Sequence, residues 1–185
     1  MMDNLLSARE ISDDELVEQA SSGDDGAFDT LVRRHYASAY RVALSVTRRD
    51  DVAQDVVQDA FVKAFSALDR FRGDSSFRTW MMTVTANEAR ATLRKRVRWS
   101  ESSIEAAGPL EAGGPNPAEQ VVTVQESMRA RAMLDSLPEK QRLAISARID
   151  DGLSFREIGA LVGSSEGAAR VNYFHGIRRL RELMA

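Results

Sequence analysis

The sequence predicts an all-α chain of two small helical domains joined by a flexible linker. Three observations predict it. Apolar residues recur every three or four positions along most of the chain, and no stretch alternates apolar with polar as a strand does. Capping residues and glycines mark helix starts and stops. One stretch breaks the pattern: residues 99–117, WSESSIEAAGPLEAGGPNP, hold three of the four prolines and three of the eleven glycines, a linker composition. These bounds leave a first domain at 1–98 and a second at 118–185.

Ser12-Asp13-Asp14-Glu15 is a capping box that opens a short first helix through Leu16, Val17 and Ala20, closing near Gly23. The spacing of Phe28, Leu31, Val32, Tyr36, Ala39, Tyr40, Ala43, Leu44 and Val46 predicts a long second helix from about Ala27 to Arg48. Within it, His35 reads as a surface or satisfied core residue. Asp50 and Asp51 favour a helix start through the dipole. That third helix carries Val52, Val56, Val57, Ala60, Phe61, Ala64, Phe65 and Leu68 inward. On it, Asp55, Gln58 and Asp59 sit at i, i+3 and i+4 and form one patch. With no His or Cys nearby in sequence, acid–base chemistry is set aside. A solvated acidic face and a docking patch for a basic partner both fit.

Residues 69–76, DRFRGDSS, read as a loop, broken by Gly73. A fourth helix then runs from Phe77 to about Val97. Met82, Ala86, Ala89, Leu93 and Val97 make one apolar stripe; Phe77, Trp80 and Val84 make a second. Trp80 reads as core. Between the stripes run Thr83, Asn87, Arg90, Arg94 and Arg98, beside Lys95 and Arg96. A polar residue followed by arginines fits nucleic acid, and an amphipathic helix with basic residues at its C-terminus fits equally.

Stretched out, the linker's 19 residues reach ~65 Å, about two turns of B-DNA at ~34 Å each. In the second domain, Val121, Val124, Met128, Ala132 and Leu134 or Leu137 mark a helix. Pro138 suits the first turn of the next, with Leu143, Ala144, Ala147 and Ile149 inward and Gly152 closing it. Ser154-Phe155-Arg156-Glu157 is another capping box. Phe155, Ile158, Leu161 and Val162 follow at helical spacing, Gly163 ends that helix, and Ser164 or Ser165 caps the last. Two helices joined so tightly are the form of a helix-turn-helix. The last helix turns Ala169, Tyr173, Gly176, Ile177, Leu180 and Leu183 or Met184 to the core. Gly167, Arg170, Val171, Phe174, Arg178 and Arg181 share another side. Arginines with apolar residues suit a major groove; a solvated helix whose Phe174 packs on a neighbour shows the same pattern.

Bulk properties narrow the classes. The chain has no cysteine, which excludes disulfides, thiolate metal sites and thiol switches. No stretch approaches the ~20 apolar residues that span a bilayer, and the acidic N-terminus lacks a signal's apolar run, so a cytoplasmic protein is expected. A net charge of −3 argues against a stand-alone DNA binder held mainly by phosphates. No metal cluster, nucleophile–base set or phosphate-cradling glycine loop points to an enzyme or a cofactor.

Three motifs occur in one order: DVVQDAFVKAF (Asp55–Phe65), FRGDSSFRTW (Phe71–Trp80) followed by Asn87, and LPEKQR (Leu137–Arg142) with DGLSFREIGALVGSSEGAAR (Asp151–Arg170). Together they resemble the bacterial sigma factors of the extracytoplasmic-function group of the sigma-70 family, over nearly the whole chain. The resemblance implies that the first domain is region 2 and the second is region 4. It implies binding to core RNA polymerase, at its clamp helices and flap, with Asp55, Gln58 and Asp59 on the clamp helices. The loop before the fourth helix would capture a flipped base of the −10 element, through Phe71, Arg72, Gly73, Asp74 and Ser75. Extruding a base costs a few kcal/mol, which a preformed pocket offsets. Thr83 and Asn87 would read the same element, and Arg90, Arg94 and Lys95 would hold phosphates. Gly167, Arg170, Val171, Phe174, His175 and Arg178 would meet the −35 element. Here Val171-Asn172 stands where the family often has Ser-Arg, and His175 where it often has Arg. The resemblance also implies an anti-sigma factor that covers both domains. Against it stand a stand-alone helix-turn-helix regulator and a purely protein-binding helical adaptor.

Overall fold

The computed structural model describes residues 11–102 and 129–184. Helix α1 (Asp13–Ser21) starts at its capping box: Ser12 Oγ accepts from the Glu15 amide at 3.3 Å, and the Glu15 carboxylate accepts from the Ser12 amide at 2.9 Å. Helix α2 (Asp25–Thr47) is capped by Asp24, whose carboxylate takes the amides of Gly26 and Ala27 at 2.9 and 3.2 Å. Helix α3 (Asp50–Ser66) has no side-chain cap; Asp50 and Asp51 fill its first turn instead. A single 3-10 turn, Leu68–Arg70, leads to the loop before α4 (Phe77–Ser102).

In the second domain, residues 129–135 are the described part of α5. Helices α6 (Glu139–Ile149), α7 (Phe155–Val162) and α8 (Glu166–Met184) follow. Ser154 and Glu157 form the predicted box at 3.3 and 2.8 Å, and Gly163 ends α7 at φ +64°. Caps contribute about 1 kcal/mol each, against roughly 1.5–3 kcal/mol for burying one large aliphatic side chain. Caps therefore set the helix ends, and burial holds the helices together. Leu31, Val56, Val57, Phe77, Met81 and Met82 are fully buried in the first domain, and Leu137, Leu143, Ile158 and Leu161 in the second.

Several expectations need correction. Helix α4 runs to Ser102, four residues into the stretch read as linker, because no glycine or proline stops it before Gly108. The rest of that stretch, 103–117, lies outside the described residues, as do Val121, Val124 and Met128. Phe65, Ile149, Leu183 and Met184 are exposed rather than inward. All four lie in the last turn of their helices, where the apolar period continues but the covering body does not. Val97 and Ala132 are exposed as well. Conversely, α4 also buries Thr79, Met81 and Thr85, because α2 and α3 cover it from one direction and α7 from another.

That last contact belongs to a larger feature. The domains pack directly on each other, α2 against α6 and α4 against α7. Arg142 is 3% exposed, and its guanidinium donates across the seam to the Ser45 carbonyl at 2.5 Å. No local spacing in either domain marks this seam, which joins residues about a hundred positions apart.

Candidate nucleic-acid interface

The turn between α7 and α8 orients the last helix. The Ser164 amide donates to the Gly159 carbonyl at 2.8 Å, and Ser165 Oγ caps α8 by accepting from the Ala168 amide at 3.2 Å. Ala169 and Gly176 face inward; Arg170, Val171, Phe174, His175 and Arg178 face out. Val171 and Phe174 keep 53% and 58% of their surface exposed. Phe174 does touch neighbours, with its ring 5.3 Å from Tyr173 and 6.3 Å from Phe155. It is thus both packed on one edge and open on the other. Phe155 holds two guanidiniums, Arg148 at 5.1 Å and Arg170 at 5.0 Å. Arg170 also meets Glu166 at 3.1 Å, and Arg178 approaches Glu182 at 4.0 Å. Such exposed pairs are worth about 0–1 kcal/mol, so these arginines are free to exchange partners. No Cβ contact within 4 Å awaits at Gly167, which lies open beside them.

A second surface surrounds the loop before α4. Phe71 lies edge-on to Phe77 at 6.0 Å and against Trp80 at 5.2 Å, and His35 lies 5.4 Å from Phe77. These rings form a floor that holds the loop, so Phe71 supports it from below. Arg72, Gly73 and Asp74 are exposed, Ser75 is half-buried, and Gly73 adopts φ +72°. Ser76 Oγ caps α4 through the Thr79 amide at 3.2 Å. Along α4, Asn87, Arg94 and Lys95 are exposed. Thr83 is half-buried and donates to the Thr79 carbonyl at 2.9 Å. Arg90 reaches both ways: it donates to Glu139 at 2.8 Å and to the Leu161 carbonyl at 3.3 Å in the second domain, and to Asn87 Oδ1 at 3.4 Å on its own helix.

His35 is a satisfied core histidine. Its Nε2 donates to the Asp13 carboxylate at 2.6 Å, tying α1 to α2. Burial lowers its pKa, the neighbouring Asp13 opposes this, and Arg78 and Arg34 reinforce it. Tyr40, with burial and a hydrogen bond to Asp50, is pushed up to about 12.

The third surface is acidic. Asp55, Gln58 and Asp59 are exposed on α3. One turn further, Val62 and Phe65 continue their face at 66% and 47% exposure. With Phe28 and Phe61 they line an open groove edged by Asp25 and Asp29, and the Phe28 and Phe65 rings meet at 4.8 Å. Reading Phe65 as core hid this groove; a run of apolar residues at the end of an acidic face was its signal.

The family model described as Sigma-70 region 2 matches residues 31–98, and that described as Sigma-70, region 4 matches residues 127–180. The chain is 38% identical over 179 residues to the ECF RNA polymerase sigma-E factor of Escherichia coli K12, across 90% of this chain and 91% of that protein. The chain belongs to the extracytoplasmic-function sigma factors. Membership decides for a transcription initiation factor and against both an enzyme and a stand-alone regulator. This sigma factor is also 31% identical over 170 residues to the RNA polymerase sigma-H factor of Pseudomonas aeruginosa, across 88% of each chain. Two solved structures resemble it over both domains. One is CnrH in complex with the cytosolic domain of CnrY, with TM-score 0.70, 28% identity, and coverage of 93% of this chain and 96% of that one. The other is RpoE in complex with the anti-sigma factor NepR from Bartonella quintana, with TM-score 0.72, 26% identity, and coverage of 85% and 96%. Among the described residues of the sigma factor, no helix is long and apolar enough to cross a membrane.

Proposed function

We propose that this sigma factor divides its work among the three surfaces. Region 2 at 1–98 docks on the clamp helices of core RNA polymerase through Asp55, Gln58 and Asp59, extended by the Phe28–Phe65 groove. Its loop at Phe71, Arg72, Gly73, Asp74 and Ser75 receives a −10 base, Thr83 and Asn87 read beside it, and Arg90, Arg94 and Lys95 bind phosphates. Region 4 at 118–185 meets the polymerase flap and reads the −35 element through Gly167, Arg170, Val171, Phe174, His175 and Arg178. Residues 103–117 join them. The observation that carries this reading is the face of α8: buried Ala169 and Gly176 fix the helix, leaving arginines and two apolar side chains outward. In that setting arginine pairs with guanine edges and an apolar group meets a thymine methyl.

The protein acts in the cytoplasm, where its polymerase is. An anti-sigma factor is a further partner, supported by the similar structures, one of which was solved with NepR.

The test is run-off transcription with core polymerase on a promoter library. Discrete start sites are expected; their absence would sink the reading. Arg170→Ala is expected to cost ~1–3 kcal/mol of recognition at the upstream element while polymerase capture stays intact. Transcription unchanged by that substitution would remove Arg170 from the −35 site.

A further inference from the structure

We infer that Phe155 is a positioning residue for the upstream element: its ring seats the Arg170 guanidinium, leaves the N–H edge open to a guanine, and so sets how well that base is told from the others. The inference rests on the reading of α8 as the −35 helix and adds to it a residue from outside that helix.

Phe155 opens α7, one residue after its Ser154 cap, and is half-buried. Its ring is a common neighbour of two side chains on the outward face of α8. The Arg170 guanidinium carbon lies over it, 5.0 Å from the centroid, and the Phe174 ring stands 6.3 Å away. Half-buried Tyr173 packs edge-on against it at 5.6 Å. A second guanidinium, that of Arg148 in the last turn of α6, lies over the ring at 5.1 Å, and its Nη1 donates to the Leu153 carbonyl at 2.7 Å. Two like charges repel each other. A ring that gathers both attracts them through its π face and does more than fill the core.

Arg170 has two holds, and they differ in what they leave for DNA. Glu166 accepts from a guanidinium N–H at 3.1 Å, and a guanine read through O6 and N7 needs N–H groups of the same edge. The Glu166 contact therefore competes with the base. Stacking on a ring uses the guanidinium's π face and none of its donors, so the hold by Phe155 persists while the edge bonds a guanine. A long arginine loses rotamer freedom on binding. One already seated loses less, and that difference favours the correct base pair. The next polar side chain does not share this work: Asn172 is turned back on its own helix, with Nδ2 donating to the Ala168 carbonyl at 2.9 Å. Base recognition by this part of α8 thus leans on the placement of Arg170.

The experiment uses the full chain bound to core polymerase, on a promoter recovered from the run-off library. Arg170→Ala first identifies the base pair that Arg170 reads: the one whose substitution no longer weakens binding in that variant. Phe155→Leu keeps apolar bulk and removes the ring, Phe155→Tyr keeps the ring, and each is also made in the Arg170→Ala background. The readout is the ratio of affinities for the promoter and for the same promoter changed at that base pair, with circular dichroism melts to check folding. Phe155→Leu is expected to lower the ratio about two- to fivefold, Phe155→Tyr to restore it, and neither to alter it in the Arg170→Ala background. A ratio unchanged by Phe155→Leu, or lowered as much without the Arg170 guanidinium, would overturn the positioning role and leave the −35 reading standing. If Arg170→Ala abolishes the effect of no base pair, the −35 reading of Arg170 fails first and the inference with it. Should Phe155→Leu melt below the assay temperature, the unaltered chain decides by NMR. The Arg170 Nε–H resonance, assigned by its absence in Arg170→Lys, is expected upfield of other exposed arginines through the ring current of Phe155; an unshifted resonance overturns the seat.

Discussion

The turn of the helix-turn-helix depends on Gly159, and the structure allows the cost of changing it to be worked out. A Cβ at this position would lie 2.9 Å from the Ser164 carbonyl oxygen, 3.1 Å from the Ser165 carbonyl carbon and 3.2 Å from the Glu166 amide nitrogen. All three are backbone atoms of the turn into α8, and that turn is pinned by the bond from the Ser164 amide to Gly159 itself. Two effects oppose each other in Gly159→Ala. Helix propensity favours alanine by about 1 kcal/mol. Overpacking a site that cannot yield disfavours it by about 1–3 kcal/mol. Sterics win, with a net loss of about 1 kcal/mol, or about 2–4 °C in Tm for a chain of this size. Relief of the contact also shifts the start of α8, which carries Arg170, so transcription from a −35-dependent promoter is expected to fall further than the stability loss explains. Thermal unfolding and run-off assays on the same preparation measure both. Gly167→Ala is the stability control: its Cβ meets nothing within 4 Å, and it is expected to be neutral or to stabilise by up to about 1 kcal/mol. A raised Tm with full transcription for Gly159→Ala would refute the argument.

Other predictions follow from the remaining surfaces. Asp55→Ala and Gln58→Ala are expected to weaken pull-down by core polymerase while changing stability by no more than about 0.5 kcal/mol; normal capture would show the docking patch is misplaced. His35 carries a depressed pKa from burial, opposed by Asp13 and reinforced by Arg78 and Arg34. The unfolded chain then binds more protons below its ordinary 6.5, so stability is complete above that value and declines as pH falls toward the folded one. Urea melts at pH 7.5 and 5.5 are expected to show this loss, and His35→Gln to flatten it. Phe71→Ala removes a half-buried ring from Phe77 and Trp80, at a cost of about 1–2 kcal/mol, below the 3–5 kcal/mol of a fully buried ring. It should impair promoter opening, scored by permanganate reactivity of unpaired thymines, before it impairs −35 binding.

What the sequence determined by itself was local. Capping boxes at Ser12 and Ser154, the glycine stop at Gly163 and the three-and-four spacing of apolar residues act between residues a few positions apart. They therefore stand in the sequence as short patterns, and the helices lie where those patterns put them. The arginine face of α8 was legible for the same reason. Periodicity could not say where covering stops, so Phe65, Ile149 and Leu183 were misplaced, and with Phe65 the groove beside the acidic patch was missed. The seam was wholly a tertiary decision. Asp151 bonds Ser38 across 113 positions and Arg78 across 73, and no local spacing marks an aspartate beside a glycine as a buried carboxylate. Only the folded chain, by bringing α2, α4 and the turn before α7 to one point, turns that residue from a helix-end acid into the contact that joins the domains.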